Sequence, residues 1–178
     1  MVSRSPALAL ALILSALLPA CRLPSADAPE PLDRTGPLIR VDGPQLVKEI
    51  RDAESPIVVL NLWATWCGPC KEELPSFVEV GKAYREKGVK LALVSLDFEE
   101  ELDAALEFLK ELDAELPSYA KQGKDHPFIQ AIHTGWSGAL PATLIYGPDR
   151  AVRYFWEGQI DRATLEDALD TLLAEQSE

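Results

Sequence analysis

The chain reads as an α/β protein with one central sheet and helices on both of its faces. Three observations predict this. Pro56-Ile57-Val58-Val59-Leu60-Asn61-Leu62-Trp63 is a nearly continuous apolar run rich in β-branched residues, as a strand covered on both faces should be. A second such run, Val89-Lys90-Leu91-Ala92-Leu93-Val94-Ser95-Leu96, follows one helix length later. The order along the chain is strand, helix, strand, then a helix, then strand, strand, helix. Hydrophobic residues make up 47% of the 178, enough for a real core.

Each element has its own local reason. Leu38-Ile39-Arg40-Val41 is a short strand candidate. Asp42 is placed to cap a helix with Leu46, Val47 and Ile50 on its apolar face. Pro56 to Trp63 is the central strand. The next helix starts near Gly68 and continues past Pro75, which should kink it, toward Tyr84. Phe77, Val78 and Val80 form its inner side, and Gly88 stops it. After the strand Val89 to Leu96, residues 99–112 read as an amphipathic helix through Leu102, Leu106 and Leu109. The run Glu99-Glu100-Glu101 suits the positive end of its dipole. A short strand is expected near Leu116 to Tyr119, and a short helix after Asp125. Ala142 to Tyr146 is a strand, Gly147-Pro148-Asp149-Arg150 a turn, and Val152 to Trp156 the hairpin partner. Asp161 or Thr164 caps a closing helix that buries Leu165, Ala168, Leu169, Leu172 and Leu173.

The chemistry concentrates at Trp66-Cys67-Gly68-Pro69-Cys70. Two cysteines stand two residues apart, after a strand and at the start of a helix. Cys67 then lies at a helix N-terminus, where unpaired backbone N–H groups and the macrodipole favour an anion such as a thiolate. Its pKa is expected below the free value of about 8.5. Cys70, one turn on, is close enough to close a small disulfide, so the pair can store and release two electrons. A zinc site would need two more ligands at finger-like spacing, and only Cys21, His126 and His133 remain. A purely structural disulfide would restrain little of the unfolded chain across so short a loop.

Across Trp63-Ala64-Thr65-Trp66-Cys67-Gly68-Pro69-Cys70-Lys71-Glu72-Glu73-Leu74-Pro75, together with Leu140-Pro141-Ala142-Thr143, the chain resembles the thioredoxin superfamily. The similarity is greatest to the TlpA-like branch of membrane-tethered thiol-disulfide oxidoreductases. The resemblance implies a thioredoxin fold over residues 38–178: a central mixed sheet, helices on both faces, and an inserted element at residues 99–132 after the first βαβ unit. It implies that Cys67 is the exposed nucleophile, Cys70 the buried resolving cysteine, and Pro141 a cis-proline facing their disulfide. Trp66, Gly68, Pro69 and Leu140 would meet the partner protein. Trp136 lies in Gly135-Trp136-Ser137-Gly138, just before Pro141. It is read as packing, like Trp63 and Trp156, or as a wall of the partner groove. Glu73 matches an acid found in many TlpA-like proteins, one helical turn beyond Cys70. Asn61 stands where cytosolic thioredoxin has a buried aspartate. Glu73 is therefore the candidate for moving the proton of Cys70, its alternative being an ordinary solvated carboxylate.

The implied function is reduction of disulfides in secreted or periplasmic proteins, in analogy with apocytochrome c maturation, fed by a transmembrane electron donor. The Gly68-Pro69 pair is that of reducing thioredoxin, whose potential lies near about −270 mV rather than the about −120 mV of strong oxidants. No cofactor and no metal are implied. The rival classes are a non-catalytic thioredoxin-fold binding lipoprotein or metal chaperone, and a thiol peroxidase, which would use an isolated cysteine rather than a vicinal pair.

The N-terminal part reads as an address. Arg4 precedes an apolar run from Ala7 to Leu18, shorter than the roughly 20 residues a membrane span needs, and suited to a secretory signal at residues 1–20. Leu18-Pro19-Ala20-Cys21 resembles the lipobox of bacterial lipoproteins, with Cys21 as the lipidated first residue; the alternative is an ordinary cleaved signal. Lipidation would also account for the odd cysteine of the three. Residues 21–37, with Pro24, Pro29, Pro31, Gly36 and Pro37, read as a flexible tether. The expected location is the bacterial cell envelope, outside the cytosol, where a dithiol stays reduced only if electrons are supplied. Without Arg4 the chain holds 16 basic and 29 acidic residues, a net charge of −13. That excess argues against nucleic acid as a partner.

Overall fold

The structure of the protein, a computed structural model, describes residues 32, 34–115 and 117–176. The expected leader and Cys21 lie outside the described residues. So does most of the expected tether. Two described residues of that segment make contacts: Leu32 packs against the core and Arg34 forms an ion pair with Glu49 at 2.5 Å.

β1 (Leu38–Val41) leads into α1 (Gly43–Arg51). Asp42 caps α1 reciprocally: its carboxylate accepts from the Gln45 amide, and the Gln45 side chain accepts from the Asp42 amide, each at 2.8 Å. β2 (Ile57–Trp63) is buried along its whole length. α2 (Gly68–Tyr84) runs as one element through Pro75 and ends in a 3-10 turn, Arg85–Lys87. Gly88 closes that turn with φ +87°, a conformation that side-chain-bearing residues seldom adopt. β3 spans Val89–Ser95. A 3-10 turn, Glu99–Glu101, precedes α3 (Leu102–Glu111). β4 (Ser118–Lys121) begins two residues later than its hydrophobicity suggests, and α4 spans Asp125–Ile132. β5 (Ala142–Tyr146) and β6 (Val152–Glu157) form the hairpin. Asp161, rather than Thr164, caps α5 (Arg162–Glu175), accepting from the Thr164 amide at 2.8 Å.

The six strands lie in the order β1-β4-β3-β2-β5-β6. The first four are mutually parallel, and β5 is antiparallel to both β2 and β6. The inserted element therefore contributes a strand of its own, β4, lodged between β1 and β3.

The strand period of two divides the core. Val58, Leu60 and Leu62 of β2 pack with Leu46, Ile50, Phe128 and Ile132 of α1 and α4. Ile57, Val59 and Trp63 point to the opposite face, under α2, α3 and α5. Leu60, Leu62 and Leu144 are wholly buried, each contributing about 1.5–3 kcal/mol of transfer free energy. Asn61 shares the second face. Alternation thus puts a fully buried amide directly beneath the redox helix.

Candidate active site

Cys67 is the N-cap of α2. Its backbone is extended, and its Sγ accepts from the Cys70 amide at 3.3 Å. Gly68 and Pro69 open the helix, where a missing proline N–H leaves no intrahelical bond unmade. Cys67 and Cys70 are joined in a disulfide, with their Cα atoms 5.3 Å apart. Cys70 is wholly enclosed, among residues that include Leu74, Ala105 and Ala120. Cys67 is less open than the expected exposed nucleophile: only 6% of its surface is accessible. Its neighbours Trp66, Gly68 and Pro69 project around it and are exposed.

The turn that presents Cys67 is tied down from behind. The Cys67 amide donates to the Ala64 carbonyl at 3.1 Å, and the Leu96 amide to the Trp63 carbonyl at 2.8 Å. Asp97, buried just past β3, accepts from the Thr65 amide at 2.8 Å, from the Thr65 hydroxyl at 2.5 Å and from the Ser95 hydroxyl at 2.7 Å. Sequence reasoning passed over Asp97. The one signal was an acid directly at the end of a buried strand pattern, Val94-Ser95-Leu96-Asp97.

Glu73 is no solvated helix carboxylate, for only 3% of it is accessible. Its Oε1 accepts from Asn61 Nδ2 at 2.9 Å and its Oε2 from the Ile160 amide at 3.2 Å. Burial pushes its carboxyl above the usual range, and the two hydrogen bonds oppose that push in part. Asn61 Nδ2 also donates to Thr143 Oγ1 at 3.1 Å.

The Leu140–Pro141 peptide bond is cis. Pro141 is buried, and its carbonyl accepts from the Gly158 amide at 2.8 Å. Leu140, half-buried, packs against both the cluster that holds the cysteines and the one on the opposite face. Trp136 corrects one expectation. It is 3% exposed, meets Phe128 edge to face with ring centres 6.5 Å apart, and donates from Nε1 to the Ala139 carbonyl at 2.9 Å. It therefore supports the loop before Pro141 from beneath instead of walling a groove. A flat apolar ring with one donor is best satisfied between a core aromatic and a loop carbonyl. Ser137 anchors the same loop through its amide and hydroxyl, both on the Glu157 carboxylate, at 2.7 and 2.8 Å.

Between the redox turn and this loop runs an open groove lined by Trp66, Leu96, Phe98, Phe128, Ile129 and Leu140. Trp66 is 56% exposed and Phe98 64%; they are the exposed large apolar side chains among the described residues. Phe98 too escaped the sequence reading, since one aromatic residue before an acidic run carries no periodic signal. His126 is exposed, and His133 meets Phe155 in a tilted ring contact with centres 4.4 Å apart.

Comparison with known proteins agrees with this geometry. Residues 41–155 match the model of the AhpC/TSA family. The thiol-disulfide oxidoreductase ResA of Oceanobacillus iheyensis is 31% identical over 134 residues, covering 75% of this chain and 66% of the relative. A ResA of Bacillus cereus is 34% identical over 104 residues, covering 58% of this chain and 56% of the relative. The chain thus spans between about half and two thirds of the length of these relatives. The crystal structure of a putative thiol:disulfide interchange protein DsbE from Chlorobium tepidum superposes with a TM-score of 0.57 at 25% identity, covering 70% of this chain and 84% of that one. With its mixed sheet and a bonded cysteine pair at the start of α2, this chain has the thioredoxin fold and belongs to the AhpC/TSA family.

Proposed function

We propose that this protein is a thiol-disulfide oxidoreductase that reduces disulfides of proteins outside the cytosol. The observation that carries the reading is the bonded pair Cys67–Cys70 at the N-terminus of α2, beside a groove with two exposed aromatic walls. The relatives' names, thiol-disulfide oxidoreductase ResA and putative thiol:disulfide interchange protein DsbE, support the thiol-disulfide exchange in this reading.

In the reduced form, the Cys70 amide and the helix dipole favour an anionic Cys67 sulfur. The thiolate attacks one sulfur of a partner disulfide, and the partner's other sulfur leaves as a thiolate. Cys70 then gives its proton to Glu73 and attacks the Cys67 sulfur of the mixed disulfide. The partner's second sulfur leaves as a thiolate, the two partner thiolates take up protons from water, and the Cys67–Cys70 disulfide remains. A dithiol donor, in this reading a transmembrane electron carrier, must then return two electrons. Trp66, Gly68, Pro69 and Leu140 border the partner's path, and Pro141 supports the adjacent loop. Lipidation at Cys21 would hold the domain, residues 38–178, at a membrane by a short tether. Apocytochrome c is the substrate that the resemblance suggests.

The test is reduction of insulin by dithiothreitol, followed by turbidity. Catalysis by the wild-type domain and its loss in Cys67→Ser support the reading. A wild-type rate equal to the uncatalysed one overturns it. Partners trapped on Cys70→Ser would identify the substrates.

A further inference from the structure

Asn61 and Thr143 stand directly opposite each other in the antiparallel β2–β5 register, so their side chains lie side by side on one face. Both are wholly buried. Asn61 Nδ2 carries two hydrogens. One goes to Glu73 Oε1 at 2.9 Å and the other to Thr143 Oγ1 at 3.1 Å. The opposite end of the amide, Oδ1, is buried without a hydrogen-bond partner.

That asymmetry has a cause. An ionised carboxylate can only accept, so Glu73 requires the N–H end of the amide. A half-turn of the amide would bring Oδ1 to Glu73 and suits only the protonated acid. With two acceptors on Nδ2, the observed orientation satisfies both amide hydrogens, and an uncompensated Oδ1 is tolerated in return. Remove the Thr143 oxygen and one hydrogen is left unpaired in the core. The preference for presenting N–H to Glu73 then shrinks.

We propose that Thr143 is a positioning residue: by taking the second amide hydrogen of Asn61, it locks the first onto Glu73 and so sets how tightly Glu73 holds a proton. The inference deepens the reading of Glu73 as the proton acceptor for Cys70 and rests on it for its catalytic meaning. Thr143 lies two residues after Pro141 on β5, so the same side chain ties the proton-handling group to the strand that follows the groove loop. The groups that act on Glu73 are its own burial, Asn61 and the Ile160 amide, none of them charged. The charged side chains that flank it on α2, β6 and α5, namely Lys71, Glu72, Glu157, Asp161 and Arg162, are exposed. At the start of its own helix, reduction adds two more titrating groups, Cys67 at the N-cap and Cys70 one turn before Glu73.

The experiment is a pH titration of the Glu73 carboxyl by carbon NMR on the oxidised protein, where the thiols are silent. The resonance is identified by its absence in Glu73→Gln. Thr143→Val, nearly the same shape without the hydroxyl, should move the Glu73 midpoint upward by about half a pH unit or more, a few-fold tighter hold on the proton. Thr143→Ser should restore the wild-type midpoint. In an Asn61→Ala background, Thr143→Val should add nothing. Thr143→Ala repeats the test should the valine variant fail to fold. An unchanged midpoint in Thr143→Val or Thr143→Ala, or a serine variant that behaves like valine, overturns the proposal. If the midpoint moves while Glu73→Gln exchanges disulfides at the wild-type rate, the positioning role stands and the catalytic reading of Glu73 falls.

Discussion

Asp97 holds Thr65 by two atoms at once, its Oδ1 accepting from both the amide at 2.8 Å and the hydroxyl at 2.5 Å. The carboxylate lies two residues past the end of β3, and the threonine in the turn that leads into Cys67. Two parts of the chain separated by 32 residues are thereby clamped behind the disulfide. Asp97→Ala leaves two Thr65 donors and the Ser95 hydroxyl without this acceptor, at a cost of about 1–3 kcal/mol. The expected result is a clear drop in melting temperature, of about 2–4 °C per kcal/mol for a domain of this size, with a smaller drop for Asp97→Asn. A melting curve superimposable on that of the wild type would show that the clamp is dispensable.

Cys67 retains 6% of its surface and Cys70 none. After reduction, a small alkylating agent should therefore label Cys67 first. Mass spectrometry of partly labelled protein measures this. Predominant label on Cys70 would exchange the roles assigned to the two sulfurs.

Glu73→Gln removes proton exchange one turn from Cys70 while keeping the side-chain size. Disulfide exchange should slow by about 100-fold, and the dependence of rate on pH should change. A second consequence follows from linkage. Burial raises the Glu73 carboxyl above its ordinary value of 4.5, so the folded chain binds that proton more tightly than the unfolded chain. Its contribution is full below about pH 4.5 and is lost as pH rises through the folded value. Urea denaturation at a series of pH values from about 4 to 8 should show a flatter decline in Glu73→Gln than in the wild type. Parallel curves would mean that Glu73 titrates alike in both states.

Phe98 contributes little to the core, at 64% exposed, yet it lines the groove beside the redox turn. Phe98→Ala should raise KM for a protein disulfide several-fold, with the melting temperature unchanged within error. Trp66→Ala should act in the same direction. Unaltered kinetics in both variants would place partner docking elsewhere on the surface.

Cys21→Ser tests the proposed anchor in cells. The variant should leave the membrane fraction or accumulate as an unprocessed precursor, while the purified domain, residues 38–178, keeps the proposed reductase activity. Unchanged fractionation and unchanged mass would remove the lipid from the account.

Local rules carried most of the fold. The apolar run of β2, the cap Asp42, the stop at Gly88 and the hairpin turn at Gly147 to Arg150 depend on residues close in sequence. They were legible for that reason. β4 was legible only loosely, because a four-residue strand takes its bounds from its parallel neighbours β1 and β3 and not from its own pattern. The site divides in the same way. Cys67, Cys70 and the start of α2 are close neighbours in sequence, so spacing alone predicted a disulfide at a helix N-terminus.

What the sequence determined by itself was the α/β architecture and the redox pair, because helix and strand periods and the Cys-X-X-Cys spacing act over a few residues. The tertiary structure alone decided that Glu73 is a buried carboxylate held by Asn61 and the Ile160 amide instead of a solvated one, and that Trp136 faces inward. It also made Asp97 the clamp of the redox turn, and it set Thr143 across from Asn61 at 3.1 Å. Each of those outcomes joins groups far apart in the chain, as with the 82 residues between Asn61 and Thr143, or turns on whether packing excludes water from a side chain. Burial and long-range hydrogen bonding are properties of the assembled sheet and its helices, and no local pattern encodes them.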